Sequence, residues 1–191
     1  MSEEFRVSWS MTGEMVARLG LAKELSGHHG CVNCLQWSSS GHFLLSGSDD
    51  KTLMVWYGLR CRRLGRMETP HEANIFSCVW VPGFEESLVA SGAGDSKVCL
   101  ASPETGANIK TVAGHRSRVK RLATAQDSPG IVWSGAEDGT VRQWDIREKW
   151  TPDNSNVLVN LVTQVSKVLR CFNVQPSAHV FGPTFRPCFS N

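Results

Sequence analysis

Several features that define other protein classes are missing from this sequence of 191 residues. No stretch approaches the 18 or more uninterrupted apolar residues of a membrane-spanning helix, so we expect no membrane association. The N-terminus lacks a cleavable apolar segment. Lys and Arg alternate with Asp and Glu to a formal net charge of +2, without the basic footprint that direct nucleic-acid binding favours. The densest cationic cluster is interpreted as a solvated loop and consists of Arg60, Arg62, Arg63 and Arg66.

Cysteine is present without the pattern of a disulfide-rich domain. The seven Cys are odd in number and scattered along the chain, which indicates a reducing compartment. Cys31 and Cys34 have a C-x-x-C spacing, but no second pair stands at a zinc-ligand spacing. Gly92 and Gly94 precede a strand-like turn rather than a helix, so they do not predict a phosphate site. We therefore predict no metal and no cofactor.

A repeat with a period of 43 to 45 residues is the main signal in the sequence. Each unit has a His, then a Ser-Gly pair in a turn that ends in Asp, and the first and third units have a Trp six residues after that Asp. The markers are His28, Ser46, Asp50 and Trp56 in the first unit, His71, Ser91 and Asp95 in the second, and His115, Ser134, Asp138 and Trp144 in the third.

Apolar residues between these markers form runs of strand length. Turns rich in Gly, Ser and Asp separate the runs, and no helical periodicity extends over the three units. The runs are residues 32–37, 43–45 and 53–56, then 76–81, 88–90 and 97–100, then 119–123, 131–133 and 140–144. The sequence therefore predicts an all-β chain of repeated antiparallel sheets.

This pattern resembles the WD-repeat family, in which Gly-His and Trp-Asp bracket each unit and four strands form one blade of a β-propeller. The resemblance implies an incomplete WD-repeat β-propeller of about three blades plus the start of a fourth. It also implies that the His, Ser, Asp and Trp of each unit form a buried structural network. The chemistry agrees, because a buried Asp needs donors, and imidazole N–H, hydroxyl and indole N–H supply them.

The second unit departs from the family pattern. Ala101 stands where the indole is expected, and no Gly precedes His71. We therefore expect the second blade to be the least rigid of the three. The first unit also ends in Trp56-Tyr57 rather than in Trp-Asp.

The third unit ends in Trp144-Asp145-Ile146-Arg147. A Trp-Asp-x-Arg ending resembles the box by which substrate receptors of the cullin-4 RING ubiquitin ligase bind their propeller adaptor, the damage-binding protein subunit. Across residues 19–176 the chain is similar to a family of such receptors that joins WD repeats to a helical repeat array. The segments that carry this similarity are residues 19–21, 27–35, 46–50, 71–77, 94–98 and 118–121.

This resemblance implies a protein-interaction module in which Asp145 and Arg147 bind the adaptor of the cullin-4 ligase, a role in protein ubiquitylation. The planar guanidinium suits a partner's carbonyls or carboxylate. The alternative is that Asp145 caps a turn and Arg147 is a solvated charge, in a generic WD-repeat scaffold of chromatin or signalling complexes. Histones or chromatin corepressors are further candidate partners, and we expect the cytoplasm and nucleus as the location.

Enzymatic activity is not expected. Each candidate His recurs in every unit, as a structural residue does, and no Ser, His and Asp set stands outside the repeat markers. We therefore predict no catalytic residue.

Three regions follow from the repeat. Residues 1–25 are an N-terminal segment with a short helix expected within residues 12–25, and residues 177–191 are an irregular tail. Residues 26–176 form the partial propeller, with blades at about 26–67, 68–112 and 113–150 and the start of a fourth at 157–176; strand-like runs lie at 157–162 and 168–174. We expect this chain to be a truncated product or an isoform of a longer protein. One alternative for its function is a truncated isoform without a function of its own. The alternative is a complete small protein that closes by dimerising.

Overall fold

The computed structural model describes residues 12–148 and 157–160. One helix, α1 (Gly13–Ala17), and a 3-10 helix (Gly58–Arg60) accompany twelve strands within these ranges. The strands are β1 (Val32–Trp37), β2 (Phe43–Ser48), β3 (Thr52–Tyr57), β4 (Arg62–Glu68), β5 (Ile75–Trp80), β6 (Val89–Ala93), β7 (Lys97–Ala101), β8 (Asn108–Ala113), β9 (Val119–Ala123), β10 (Ile131–Ala136), β11 (Thr140–Asp145) and β12 (Val157–Asn160).

The strands form three four-stranded antiparallel sheets in which each strand pairs with its neighbours in sequence. The sheet orders are β1-β2-β3-β4, β5-β6-β7-β8 and β9-β10-β11-β12, and we call the sheets blades 1, 2 and 3. The first strand of each blade lies beside the first strand of the next, β1 by β5 and β5 by β9. This architecture confirms the predicted all-β, incomplete propeller.

Apolar side chains fill the spaces between consecutive blades. Leu45, Leu53 and Ile75, all 0 % exposed, belong to the cluster between blades 1 and 2. Val98 and Val119, also 0 % exposed, belong to the corresponding cluster between blades 2 and 3. The core is therefore made from the faces of neighbouring blades, which is why a blade needs its neighbour to bury its apolar residues.

The turn between the second and third strands of each blade is tight and has one residue in the left-handed conformation. Lys51, Ser96 and Gly139 occupy this position with φ of 63°, 66° and 73°. Each follows the Asp of its repeat unit, so the turn holds that carboxylate at the end of the blade.

The structure differs from the sequence prediction at the outer strands of the blades. Three of the four clustered arginines that were interpreted as a loop, Arg62, Arg63 and Arg66, lie in strand β4. In β4 only Met67 is buried, because no neighbouring sheet covers this outer strand. Without a buried face the strand carries no apolar alternation, so its sequence resembles a loop.

The end of the predicted propeller also needs correction. Val157–Asn160 pairs with β11 and completes blade 3, so these residues do not begin a fourth blade. The predicted strand at 168–174 and the tail at 177–191 lie outside the described residues. At the other end, α1 has 5 residues and lies within residues 12–25, where the short helix was predicted. Within the described residues, no helix has the length and apolar character needed to cross a membrane.

Candidate functional site

Blade 3 contains a continuous chain of four polar side chains. The indole N–H of Trp144 donates to Ser134 Oγ at 2.7 Å, and Ser134 Oγ lies 2.7 Å from His115 Nε2. On the other side of the ring, His115 Nδ1 lies 3.0 Å from Asp138 Oδ2. The distances fit an imidazole that donates from Nδ1 to the carboxylate and accepts the serine proton at Nε2.

Blade 1 repeats this geometry. The indole of Trp56 donates to Ser46 Oγ at 2.9 Å, and Ser46 Oγ lies 2.8 Å from His28 Nε2. His28 Nδ1 lies 3.0 Å from Asp50 Oδ2. The structure therefore brings together the four residues that the sequence assigned to a network in each of these two blades.

The distances between Ser, His and Asp in these networks are those between a catalytic nucleophile and its base, but here the serines are buried. Ser134 is 1 % exposed and Ser46 is 2 % exposed, and each hydroxyl oxygen already accepts an indole N–H. A catalytic serine must reach its substrate. The arrangement can tie strands of a blade together, and it offers no exposed nucleophile.

Two threonines are further members of the networks and were not predicted from the sequence. The hydroxyls of Thr52 and Thr140 donate to Asp50 and Asp138 at 2.7 and 2.6 Å. The backbone N–H of Arg116 also donates to Asp138, at 2.9 Å. A Thr two residues after the Asp was the signal available in the first and third units, and the second unit has a Lys there.

These donors set the charge state of the turn carboxylates. Burial acts to raise the pKa of Asp138, but hydrogen bonds from the Thr140 hydroxyl and the Arg116 amide outweigh burial and lower the pKa to about 2. The pKa of Asp50 is lowered in the same way, by the His29 amide and the Thr52 hydroxyl against burial. Both side chains are therefore carboxylates at neutral pH.

Blade 2 keeps the His, Ser and Asp of the network but has no Trp at the position that corresponds to Trp56 and Trp144. His71 Nε2 lies 2.9 Å from Ser91 Oγ, and His71 Nδ1 lies 3.1 Å from Asp95. Ala101 stands at the Trp position, so no indole N–H reaches Ser91. The lower rigidity expected of this blade stays a prediction.

The pKa values of the histidines of blades 2 and 3 are shifted in opposite directions. Burial acts to lower the pKa of His71, but Asp95 and the Cys99 thiol raise it to about 9. The pKa of His115 is lowered instead, because burial and the nearby Arg142 cation outweigh Asp138. The residue two places before the Trp position, Cys99 in blade 2 and Arg142 in blade 3, thus contributes to the different electrostatics of the two networks.

Asp145 and Arg147 form a bidentate ion pair at the end of blade 3. Arg147 Nε donates to Asp145 Oδ1 at 2.8 Å, and Arg147 Nη2 donates to Oδ2 at 2.6 Å. The Arg147 backbone N–H also donates to Oδ1, at 3.0 Å. Pairing with Arg147 lowers the pKa of Asp145 to about 2. The Asp145 side chain is 17 % exposed and that of Arg147 is 65 % exposed, so the aspartate orients a guanidinium that faces solvent.

The backbone next to this pair is anchored to blade 2. The N–H of Ile146 donates to the Gly130 carbonyl, and the N–H of Gly130 donates to the Pro82 carbonyl, at 2.9 and 3.1 Å. Lys110 Nζ donates to the carbonyl of Glu148 at 2.6 Å. The segment that carries the ion pair is therefore fixed by hydrogen bonds at Ile146 and at Glu148.

The two cysteines of the C-x-x-C pair lie in different environments. Cys34 is buried and its thiol points to the Gly47 carbonyl, 3.7 Å away, while Cys31 is exposed. No group of three or more His, Cys, Asp or Glu side chains that could hold a metal ion occurs in the part of the chain that the structure describes.

Comparison with known proteins gives a family match and several relatives. The model of the WD domain, G-beta repeat, matches residues 20–57 and 106–145, which are the first and third units with their indoles. The chain is 41% identical over 174 residues to human "WD and tetratricopeptide repeats protein 1", which covers 90% of this chain and 25% of that protein. It is 42% identical over 144 residues to Arabidopsis "Protein ALTERED SEED GERMINATION 2", covering 70% and 19%.

The name of a further relative states which proteins it associates with. Human "DDB1- and CUL4-associated factor 6" is 30% identical over 165 residues, covering 83% of this chain and 19% of that protein. The chain thus spans a quarter or less of the length of these relatives. The three blades, the repeated hydrogen-bonded networks and the family match lead to one conclusion: the chain belongs to the WD-repeat family, a family of protein-interaction modules that are typically non-enzymatic scaffolds.

Proposed function

We propose that this chain acts as the adaptor-binding part of a substrate receptor for a cullin-4 RING ubiquitin ligase. The observation that carries the proposal is the Asp145–Arg147 pair at the end of blade 3. A guanidinium that is exposed yet held by two hydrogen bonds to its own blade loses little conformational freedom on binding. Such a group is suited to anchor a partner's carbonyl or carboxylate oxygens.

Among the three blades that the structure describes, blade 3 alone has this pair. At the positions that follow the Trp position, blade 1 has Tyr57, Gly58 and Leu59, and blade 2 has Ser102, Pro103 and Glu104. Neither blade can form the aspartate-arginine pair there. Because a structural role common to all blades would be met in each of them, the restriction to blade 3 supports a binding role.

The relatives support the same proposal. One of them is named as a factor associated with DDB1 and CUL4, at 30% identity to this chain. We carry that association to this chain as part of the proposal, together with a location in the cytoplasm and nucleus and the absence of catalytic activity. The coarser function, protein binding by WD repeats, does not depend on it.

Replacing Arg147 by Ala tests the proposal. The 191-residue chain, as wild type and as Arg147→Ala, is used to co-precipitate the purified propeller adaptor at matched soluble amounts. We expect Arg147→Ala to weaken adaptor binding by about thirtyfold, the usual effect of removing an interface anchor. The melting temperature of the variant should stay at the wild-type value, because the guanidinium is 65 % exposed and contributes nothing to the core.

Arg116→Ala is the matched control. Arg116 is an exposed arginine of the same blade, next to the Asp138 turn at the opposite end of β11 from Asp145. Its loss should leave adaptor binding unchanged. Equal binding by wild type and Arg147→Ala, or no binding by either, would remove the ligase role and leave a generic WD-repeat scaffold.

A further inference from the structure

Two buried cysteines lie at the joint between blades 1 and 2, where a joint is the contact between consecutive blades. Cys34 of β1 and Cys78 of β5 are 8 % and 3 % exposed and belong to the same apolar cluster. The Cys34 thiol points to the Gly47 carbonyl at 3.7 Å, and the Cys78 thiol points to the Leu45 carbonyl at 4.0 Å. Both sulfur atoms therefore lie against the same strand, β2.

The two joints in the described structure are built in the same way. A Cβ at Gly47 of β2 would lie 2.9 Å from Cγ2 of Ile75 in β5. A Cβ at Gly92 of β6 would lie 2.6 Å from Cγ1 of Val119 in β9. In both joints a branched side chain from a first strand packs onto a glycine of the blade before it. Distances at one joint therefore indicate those at the other.

The strand register places the two cysteines at positions that are in direct contact at the other joint. Cys34 corresponds to Ser77, because each pairs with the glycine of its second strand. Cys78 corresponds to Leu122, because each pairs with the network serine of its blade. The Leu122 backbone N–H donates to Ser77 Oγ at 2.9 Å.

This hydrogen bond limits how far apart the two backbones are. A serine Oγ lies about 2.4 Å from its own Cα and an amide nitrogen about 1.5 Å from its Cα, so the Cα atoms of Ser77 and Leu122 are at most about 7 Å apart. Disulfides join Cα atoms that are about 4.4–6.8 Å apart. The equivalent positions, Cys34 and Cys78, are therefore close enough for a disulfide.

The two thiols differ in how readily they ionise. A hydrogen bond with the Cys78 thiol lowers the pKa of Cys34, and the Gly47 backbone and the Arg121 cation act in the same direction against burial. The hydrogen bond with Cys34, together with burial, raises the pKa of Cys78. Because the thiolate is the nucleophilic form of cysteine, Cys34 is the thiol of this pair that reacts first.

We propose that Cys34 and Cys78 form a reversible disulfide when a peroxide oxidises the chain, and that this bond fixes blade 1 to blade 2. The Cys34 thiolate attacks one peroxide oxygen and becomes a sulfenic acid, while the O–O bond breaks and the other oxygen leaves as hydroxide. The hydroxide takes up the proton that Cys34 released. The Cys78 sulfur then attacks the sulfenic sulfur, and the hydroxyl group leaves as water with the Cys78 proton. Two thiols thus lose two electrons, and one hydrogen peroxide becomes two waters.

Two other cysteines provide controls. Cys31 is exposed and completes the C-x-x-C spacing with Cys34, so it is the competing partner for a disulfide. Cys99 is as deeply buried as Cys78, but its thiol lies 3.8 Å from His71 Nδ1 and accepts a hydrogen bond from the Thr111 hydroxyl at 3.4 Å. Disulfides in reducing compartments are typically transient and redox-sensing, so a paired thiol should react where a merely buried one does not.

Peptide mapping of the folded 191-residue chain after exposure to hydrogen peroxide tests the proposal. Free thiols are alkylated, the chain is cut with trypsin, and the peptides are sequenced by tandem mass spectrometry. We expect residues 24–51 to be joined to residues 67–97 through Cys34 and Cys78, with the loss of two hydrogens. Dithiothreitol should separate the two peptides, and Cys99 should be recovered as the alkylated thiol.

The melting temperature tests whether the bond fixes the joint. Oxidation should raise it by about 5 °C or more, because the disulfide restricts the unfolded chain, and dithiothreitol should reverse the rise. Cys34→Ser should abolish both the cross-link and the rise, and it should fold because Ser77 occupies the same position in blade 2. Cys78→Ala should act in the same way, whereas Cys31→Ser and Cys99→Ser should keep both effects.

Four outcomes would overturn the inference. Cys34 and Cys78 could both stay reduced while the peroxide oxidises other cysteines, or Cys34 could stop at a sulfinic acid without a cross-link. Cys34 could instead be joined to Cys31 or to any other cysteine. Finally, a bond between Cys34 and Cys78 that leaves the melting temperature unchanged would show that it does not fix blade 1 to blade 2.

Discussion

At the residue scale, the carboxylate of Asp138 is the centre of the blade 3 network. It accepts hydrogen bonds from Thr140, from the Arg116 amide and from His115, and its side chain is 9 % exposed. Asp138→Ala should lower the free energy of unfolding by about 1–3 kcal/mol, because the buried donors lose their acceptor. Chemical denaturation measures the loss, and an Asp138→Ala chain of wild-type stability would contradict a structural role.

The stability of the chain at low pH also tests the role of Asp138. The pKa of Asp138 is lowered to about 2 in the folded chain, against about 4 for an unfolded aspartate. Its contribution is therefore complete above pH 4 and is lost as the pH falls through about 2. The stability difference between wild type and Asp138→Ala should shrink over that window. A difference that stays constant from pH 7 to about pH 2 would contradict the assignment.

At the scale of a single element, the turn after each repeat Asp is strained in two of the three blades. Lys51 has φ of 63°, a left-handed conformation that a side chain disfavours, whereas blade 3 has Gly139 with φ of 73°. Lys51→Gly should therefore raise the free energy of unfolding by about 1 kcal/mol. Chemical denaturation again measures the change.

Two substitutions control for this turn. Lys51→Ala keeps a Cβ at the left-handed position and should bring no gain. Gly139→Ala adds a Cβ in blade 3 and should cost about 1 kcal/mol. If Lys51→Gly and Lys51→Ala had equal effects, the side chain and not the backbone would be responsible.

At the scale of the whole molecule, the joints between blades make each blade depend on its neighbour. A Cβ at Gly92 of blade 2 would lie 2.6 Å from Cγ1 of Val119 in blade 3, and Val119 is 0 % exposed. Gly92→Ala should therefore lower the free energy of unfolding by about 1–3 kcal/mol, because the added methyl group overpacks the joint. Chemical denaturation measures the loss.

Gly65→Ala gives the comparison. A Cβ at Gly65, in the outer strand β4, would have its nearest neighbour 4.0 Å away. This change should therefore not lower stability, and equal losses for the two variants would contradict the role of the joint.

The sequence was sufficient to predict the repeat, the β class and the networks of blades 1 and 3. These features lie within one repeat unit. A fixed spacing places the His and Ser of each unit, such as His115 and Ser134 of blade 3, at the same positions of their blade. Hydrogen-bonded groups must meet at defined distances, so a network of this kind leaves a periodic pattern.

Only the tertiary structure decided the rest, because these features depend on neighbours that are distant in the chain. Strand β4 has no covering sheet and hence no apolar alternation, so its pairing with β3 was not visible in the sequence. The pKa shifts of His71 and His115 depend on the burial of each ring and on its Asp partner, with Cys99 adding to the rise at His71 and Arg142 to the fall at His115. Ile75 and Val119, which have equivalent register positions in β5 and β9, are buried against the preceding blade. Val32 has the same register position in β1 and is exposed in the described structure, so the adjacent blade sets burial and not the residue itself.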